Sequence, residues 1–344
     1  MRRRYALPLL IVVVIVAAGG WVLAWERLAD GLRDRIAGWA EGRRAEGLTV
    51  EYDQIRINGF PLKWHVTIVH PHLAGAGPTG WSWVGEAVEA DVIPWSGRDV
   101  PLRFPGDHRF AAGRGDVAEA WTVNADRPLG RAGLDNRGRL DQLNLDFTDV
   151  TVVRATTGQT ARAGHLNGHA ELHRGEPDHE KDTFDLALAL DNVQLSRAPA
   201  AVLGPQIAHA EVDLAFKGRL PAGNLASSVS VWRDDGGTVE INRLALKWGP
   251  VDADGSGTLA LDADNRLLGA FTARWRGYNE TIDLLVNLGE VKPMQAAAAK
   301  IALNALARQN PGGVNEVQIP LSAQDGRVFV AGFPLLPIPA LNFE

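Results

Sequence analysis

The stretch TFDLALALD, residues 183–191, alternates without a break: Phe184, Leu186, Leu188 and Leu190 fall on one side, Asp185, Ala187, Ala189 and Asp191 on the other. A period of two belongs to a strand, whose successive side chains point to opposite faces. The pattern extends outward in both directions. LKWHVTIV (62–69) sets Leu62, Trp64, Val66 and Ile68 against Lys63, His65 and Thr67. AEVDLAFKG (210–218) sets Val212, Leu214 and Phe216 apart from Glu211, Asp213 and Lys217, and VQIPLS (317–322) and GRVFVAG (326–332) repeat the theme. Turn signals separate the runs: LDNRGRL (134–140), RDDGGT (233–238), and DADG and DADN within 252–265. Helical runs do not alternate with these strands, which argues against a doubly wound fold. The expected fold is mainly β: a large, curved, mostly antiparallel sheet forming an open groove or trough over residues 48–344, with a few covering helices.

Those helices are expected at 278–289 and at 293–309, the second opened by Pro293 and followed by NPGG. Its Met294, Ala298, Ile301 and Leu306 are expected to pack on the sheet. A short helix is also expected around APAAVLG (198–204).

The N-terminus reads differently. Tyr5–Trp25 is a run of 21 residues without a charge, about 30 Å as a helix, the thickness of a hydrocarbon core. Arg2, Arg3 and Arg4 precede it, so the positive-inside rule keeps residues 1–4 in the cytoplasm and exports the rest. Trp21 and Trp25 fall at the outer interface. A cleaved signal peptide with VAA (16–18) as its cleavage site is the competing reading; the length of the run favours an uncleaved inner-membrane anchor over 5–25. Residues 26–47 continue as an amphipathic juxtamembrane helix. Trp25, Leu28, Leu32, Ile36 and Trp39 recur on one face, either against the outer leaflet or docked on the domain that follows, and EGL (46–48) ends the helix.

Composition narrows the function. Cysteine is absent, which excludes a disulfide scaffold, a thiolate metal site, a thiol nucleophile and a lipidated N-terminal cysteine. The formal charge is −6; removing Arg2, Arg3 and Arg4, the only charges before Glu26, leaves −9. Such a domain has no bulk attraction to nucleic acid or to anionic lipid. His165, His169 and His173 are spaced four apart, as zinc ligands on a helix would be. Alternation instead puts them with Asn167 and Glu171 on one polar strand face, second neighbours about 7 Å apart. The HPH at 70–72 flanks a turn proline. No Gly-x-Ser-x-Gly elbow or phosphate-binding glycine loop occurs. DADGSGTLALD (252–262) starts like a calcium loop but lacks its final glutamate. No catalytic, cofactor-binding or metal residue is assigned, and no cofactor is expected. The 11 tryptophans, among them the Trp81–Trp83 pair, fit core packing or an apolar groove wide enough for an acyl chain.

One motif occurs twice, IRINGFPLKW (55–64) and VFVAGFPLLP (328–337). Gly59 and Gly332 permit a turn. Pro61 and Pro334 lack the N–H that a central ladder needs, which assigns them to strand starts or sheet edges. Phe60 and Phe333 would pack over the rim.

The stretches GLRDRIAGWAEGRRAEGLTVEY, INGFPLKW, VIPW and LKWG…GSGTLALDADNRLLGAFTARWRG together resemble the domain-of-unknown-function family 2125 over nearly the whole chain. The resemblance implies a membrane-anchored bacterial protein and offers no activity or catalytic residues to carry over. The ending IPLSAQDGRVFVAGFPLLPIPAL and GAFTARWRG resemble parts of AsmA-type envelope proteins. That second likeness implies an inner-membrane anchor, a periplasmic sheet curved into a hydrophobic groove, and a part in moving phospholipid or in its homeostasis. The expected function is thus non-enzymatic: an inner-membrane-anchored periplasmic protein that binds phospholipid or another apolar ligand. The alternatives are a scaffold for protein partners, which the sequence does not name, and a hydrolase whose site is assembled from distant strands.

Overall fold

The computed structural model describes residues 6–75, 80–93, 95, 98–113, 119–173, 182–196, 203–219, 221, 225–309 and 312–342. Helix α1 (Ala6–Ala45) leads into an antiparallel meander. Its first ten strands come as five bent pairs: β1 (Leu48–Glu51) with β2 (Gln54–Asn58), β3 (Trp64–Val69) with β4 (His72–Gly75), β5 (Trp81–Gly85) with β6 (Ala87–Val92), β7 (Asp99–Arg103) with β8 (His108–Ala112), and β9 (Glu119–Asn124) with β10 (Arg127–Leu134). The halves pair into two arms, β2–β3–β6–β7–β10 and β1–β4–β5–β8–β9. Both arms meet on β11 (Leu140–Arg154). The meander then continues through β12 (Thr160–Leu172), β13 (Asp182–Leu195), β14 (Gln206–Lys217), β15 (Thr238–Trp248), β16 (Val251–Leu261) and β17 (Leu267–Arg276). After the two-residue β18 (Arg308–Gln309) come β19 (Asn315–Gln324), β20 (Arg327–Val330) and β21 (Phe333–Pro337). Helix α2 (Leu225–Asp234) is inserted before β15, and α3 (Tyr278–Asn287) and α4 (Pro293–Leu306) before β18. Each long strand pairs with its neighbours in sequence, which needs only local connections. The sheet is not closed: among the described residues no pairing joins its first strands to β21.

A crease crosses the first half of the sheet. It passes through the breaks between the halves of the five bent pairs and continues as single-residue kinks in the long strands. Asp149 (φ 52), Gly164, Asn192 (φ 54) and Ala208 drop out of the ladder between paired neighbours on either side. One unpaired residue in each strand, left-handed at Asp149 and Asn192, breaks the alternation while the register holds on either side, so apolar side chains stay on the same side after the bend. Val150, Ala163 and Val193 pack there with Phe147, Leu166, Leu190, Val152, Ile207 and others, all from the sheet itself. Val150 is only 1% exposed. A residue covered by its own sheet requires that sheet to fold toward it, so the crease is the floor of a trough. The left-handed backbone at Asn192 suits asparagine and penalises a β-branched residue. Asn192→Val is expected to lower stability by about 1–2 kcal/mol, while Asn192→Gly leaves the urea midpoint nearly unchanged.

Helix α1 lies across the apolar face of β2, β3 and β6, with Ala29 buried and Trp25, Leu32 and Ile36 packed on Ile57, Trp64, Val66, Ala90 and Val92. The five-residue stripe read from the sequence splits: Leu28 and Trp39 are exposed. The docked side chains follow an i, i+4, i+7, i+11 series through Ala29, and the bulkier flanking residues rotate away from the sheet. Arg44 donates from Nε to the Val50 carbonyl (2.8 Å) at the first edge of the sheet, and Gly47 ends the helix region at φ 88. Arg2, Arg3, Arg4 and Tyr5 lie outside the described residues, as do the side chains of 6–15, 17 and 18 and most of the short helix expected at 198–204. Among the described residues no helix is long and apolar enough to cross a membrane. Helix α4 departs from expectation. It docks through Ala296 and leaves Met294, Ile301 (72% exposed) and Leu306 in the open. Asn304, which accepts from Tyr278 Oη at 2.9 Å, and Lys300, paired with Asp283 at 2.6 Å, fix it to α3 instead.

Candidate ligand groove

One cross-strand row shows how the two faces differ. Through successive register partners it runs Ile57, Val66, Ala90, Leu102, Gly130, Leu145, Gly168, Leu188, Val212, Leu244, Gly255, Ala273 and Ile319. Every position is apolar or glycine. The parallel rows from Val100 to Val330 and from Pro128 to Val317 are likewise apolar. A bulge at Asn242 and Arg243 keeps Ile241 and Leu244 in phase with them. The row one residue away carries Glu89, Arg103, Asp146, Asn167, Glu211, Asp254, Arg274 and Gln318. At about 4.8 Å between strands, the apolar path across the thirteen strands is roughly 57 Å long.

At its far end Tyr278 of α3 packs on Trp275, the register partner of the buried Val317, and its first part is roofed by α1. Farther on, Leu188 is 37% and Leu244 48% exposed. The chain exposes 21422 Å² in all, whereas a close-packed monomer of 37.1 kDa exposes about 13,600 Å². Two clefts follow one another along this face. One of about 470 Å³ lies over Leu190, Val212, Leu246 and Phe271. The next, of about 420 Å³, lies over Leu214, Phe216, Ile241 and Leu259, with Val229 and Trp232 of α2 and Leu341 at its wall. Each is in the size range of a small-molecule or cofactor site. Trp232 is held in place by an Nε1–H donated to the Lys217 carbonyl (2.6 Å).

The opposite face is a lattice of cross-strand ion pairs. His165 meets Asp146 (2.7 Å) and His173 meets Asp185 (2.7 Å). His169 contacts Asn144 (2.8 Å), and His209 bridges Asp191 (2.8 Å) and Glu211 (3.2 Å). The three histidines do share a strand face, each engaged by a side chain of a neighbouring strand. The calcium-like segment 252–262 is largely strand β16, and its Asp252 and Asp254 accept from Arg274 and Arg276. Burial pushes the Asp254 carboxyl up, but the two guanidiniums outweigh it and hold it below the usual carboxylate range. His65, then Lys63 and Arg103, hold Asp91 low as well. The hydrogen bond to Asp191, helped by Glu211, raises His209.

The signs give a pH window. Depressed carboxyls stabilise the fold above their unfolded value of about 3.9, and that contribution is lost as pH falls through the lower folded value. The raised histidine stabilises it below about 6.5, and its share is lost as pH climbs through the folded value. The urea midpoint is therefore expected to be highest between about pH 4 and 6.5. His209→Gln should flatten the alkaline limb alone, and Asp254→Asn the acid limb alone.

The residues singled out in the sequence fall at the ends of this groove. Gly59 (φ 98) and the cis Phe60–Pro61 bond lie in the turn between β2 and β3, where a Cβ at Gly59 would meet the Lys63 carbonyl oxygen at 2.7 Å. Gly332 (φ 85) and Ala331 (φ 50) make the two-residue turn between β20 and β21, so one tetrapeptide serves two different turns. Phe333 is exposed, and Pro334 lies in the last strand, paired on one side with Phe329. Trp25 packs edge-on against Phe60, and Trp21 donates to the Pro61 carbonyl at 3.1 Å. Of the tryptophans of the β region, Trp64 and Trp232 are buried, while Trp81 and Trp95 are exposed. The crease was missed in the sequence. Its signal is a slip in alternation, Leu143, Leu145, Phe147 and then Val150, Val152, which recurs at Leu190 and Val193.

The model of one protein family, described as "Uncharacterized protein conserved in bacteria (DUF2125)", matches residues 25–339. No curated protein and no solved structure matches the chain.

Proposed function

The chain belongs to the DUF2125 family of bacterial proteins, and we propose that it binds the acyl chains of lipid, or a ligand of similar apolarity, along the open face of its sheet. The observation that carries this reading is the row from Ile57 to Ile319, apolar throughout, roofed by α1 at its start and exposed at Leu188 and Leu244 in its middle. An exposed apolar stretch such as that around Leu188 and Leu244 marks a surface that something apolar covers. In this reading Tyr5–Trp25 anchors the chain in the inner membrane, Arg2, Arg3 and Arg4 stay in the cytoplasm, and the sheet stands in the periplasm. The length of the uncharged run and the asymmetry of charge around it support that orientation.

The test is a photoreactive residue placed at Leu244 in the full chain and irradiated in living cells. Lipid adducts at Leu244, and none at the outward Lys247, are expected; adducts to protein alone would sink the proposal. A second reading, a scaffold for protein partners, draws on the exposed Met294 and Ile301 of α4. Protein adducts from a probe at Ile301 would support it.

A further inference from the structure

Three separate segments bring exposed apolar side chains to one turn of α1. The helix contributes Trp21, Val22 and Leu23, the β2–β3 turn Phe60 and Leu62 (65% exposed), and the chain after β6 contributes Ile93 and Trp95 (58% exposed). They are clamped together. The Trp21 and Trp95 rings lie 5.9 Å apart, the Trp25 and Phe60 rings 5.8 Å apart, and the Trp21 indole N–H donates to the Pro61 carbonyl. Connecting turns ordinarily carry polar or turn-forming residues, and this one presents phenylalanine and leucine to solvent.

Its position along α1 points to the occupant. The uncharged run begins at Tyr5 and ends at Trp25, so it enters the cluster from one side, and the first charges, Glu26 and Arg27, leave on the other. At 1.5 Å per residue, Trp21–Trp25 lies about 23–29 Å from Ala6, the first residue of α1, the depth of an interface opposite the start of the run. Tryptophan is the residue enriched at that depth, where the ring sits among headgroups and the N–H finds an acceptor. Here the acceptor is supplied by the sheet domain itself.

We propose that the Phe60–Leu62 turn together with Ile93 and Trp95, held to α1 by Trp21 and Trp25, forms an apolar collar that seats the sheet on the surface of the lipid bilayer. The proposal rests on the anchor reading of Tyr5–Trp25 and adds to it a second point of attachment. Two attachments fix the tilt of the sheet, which a helix alone leaves free. They also fix the groove: Ile57 and Val66, at the start of its apolar row, flank the collar turn. The apolar row then begins at lipid level, beneath α1.

The chain contains no cysteine, so single probes can be placed cleanly. Leu62→Cys and Ile93→Cys, neither of which removes a ring contact, would be labelled in the full chain with a polarity-sensitive fluorophore. Ile301→Cys, on the distant exposed face of α4, is the control. The proteins are reconstituted into phosphatidylethanolamine–phosphatidylglycerol vesicles carrying lipids spin-labelled near the headgroup. Quenching at 62 and 93 is expected to exceed that at 301 by about threefold. Protein that floats with the vesicles while all three positions quench alike overturns the collar and leaves the anchor standing. Protein that does not float overturns the anchor and the collar with it. Shielding of 62 and 93 without vesicles, rising with protein concentration, overturns the bilayer as occupant in favour of a second copy of the chain.

Discussion

Val150→Asp is expected to lower stability by about 4 kcal/mol, a large part of the 5–15 kcal/mol of a typical fold. Val150 lies at the floor of the crease, 1% exposed, among Phe147, Val152, Leu166 and Leu190. A carboxylate there meets no donor, so it would take up a proton to avoid a buried charge. Its folded pKa is thereby raised. The deficit is full above that value and shrinks as pH falls toward the ordinary carboxylate range. Val150→Thr, of nearly the same shape, is expected to cost about 1–3 kcal/mol for its buried hydroxyl. Thermal unfolding of both variants measures the difference, about 10 °C for the aspartate at 2–4 °C per kcal/mol. An aspartate variant that melts with the wild type would mean that the crease is not a packed corner.

The double variant Leu188→Asp, Leu244→Asp is expected to do the opposite. Both positions are more than a third exposed, so the carboxylates stay solvated and the midpoint should move by less than about 1 kcal/mol. Lipid adducts from a probe between them in the same cleft, at Val212, should fall by at least about tenfold. An acyl chain on that path would desolvate two charges, and tenfold corresponds to 1.4 kcal/mol. Arg243→Ala on the outer face, paired with Glu211 at 2.7 Å, should leave the adducts unchanged. Undiminished labelling in the double variant would show that the ligand does not run along this row.

Much of this architecture was legible in the chain. Alternation at Phe184–Leu190 marked a strand with one apolar face, and Pro293 marked the start of α4. Less legible was what each apolar face meets. The stripe Met294, Ile301, Leu306 reads as a packing surface, yet α4 is held by Asn304 and Lys300 and presents that stripe to solvent. Hydrophobicity marks a surface as coverable; it does not say whether another element of the same chain covers it. The long dimension of the groove was also hidden. Single strands are short, and the path is long because it runs across thirteen of them, a direction that appears only once the register is known.

The amino-acid sequence by itself determined the alternating runs at 62–69, 183–191, 210–218, 317–322 and 326–332, the uncharged N-terminal run and the glycine turns at 59 and 332. These depend on local backbone geometry and on the period of side chains within one segment. The tertiary structure alone decided that the bends at Asp53, His70, Glu86, Gly106 and Asp126 line up with the kinks at Asp149 and Asn192 into one crease. It alone brought Trp21, Phe60 and Trp95 to one turn of the helix. The reason is physical: a kink is a local event in each strand, but its alignment across a sheet is set by the hydrogen-bond register between strands, which no single segment encodes.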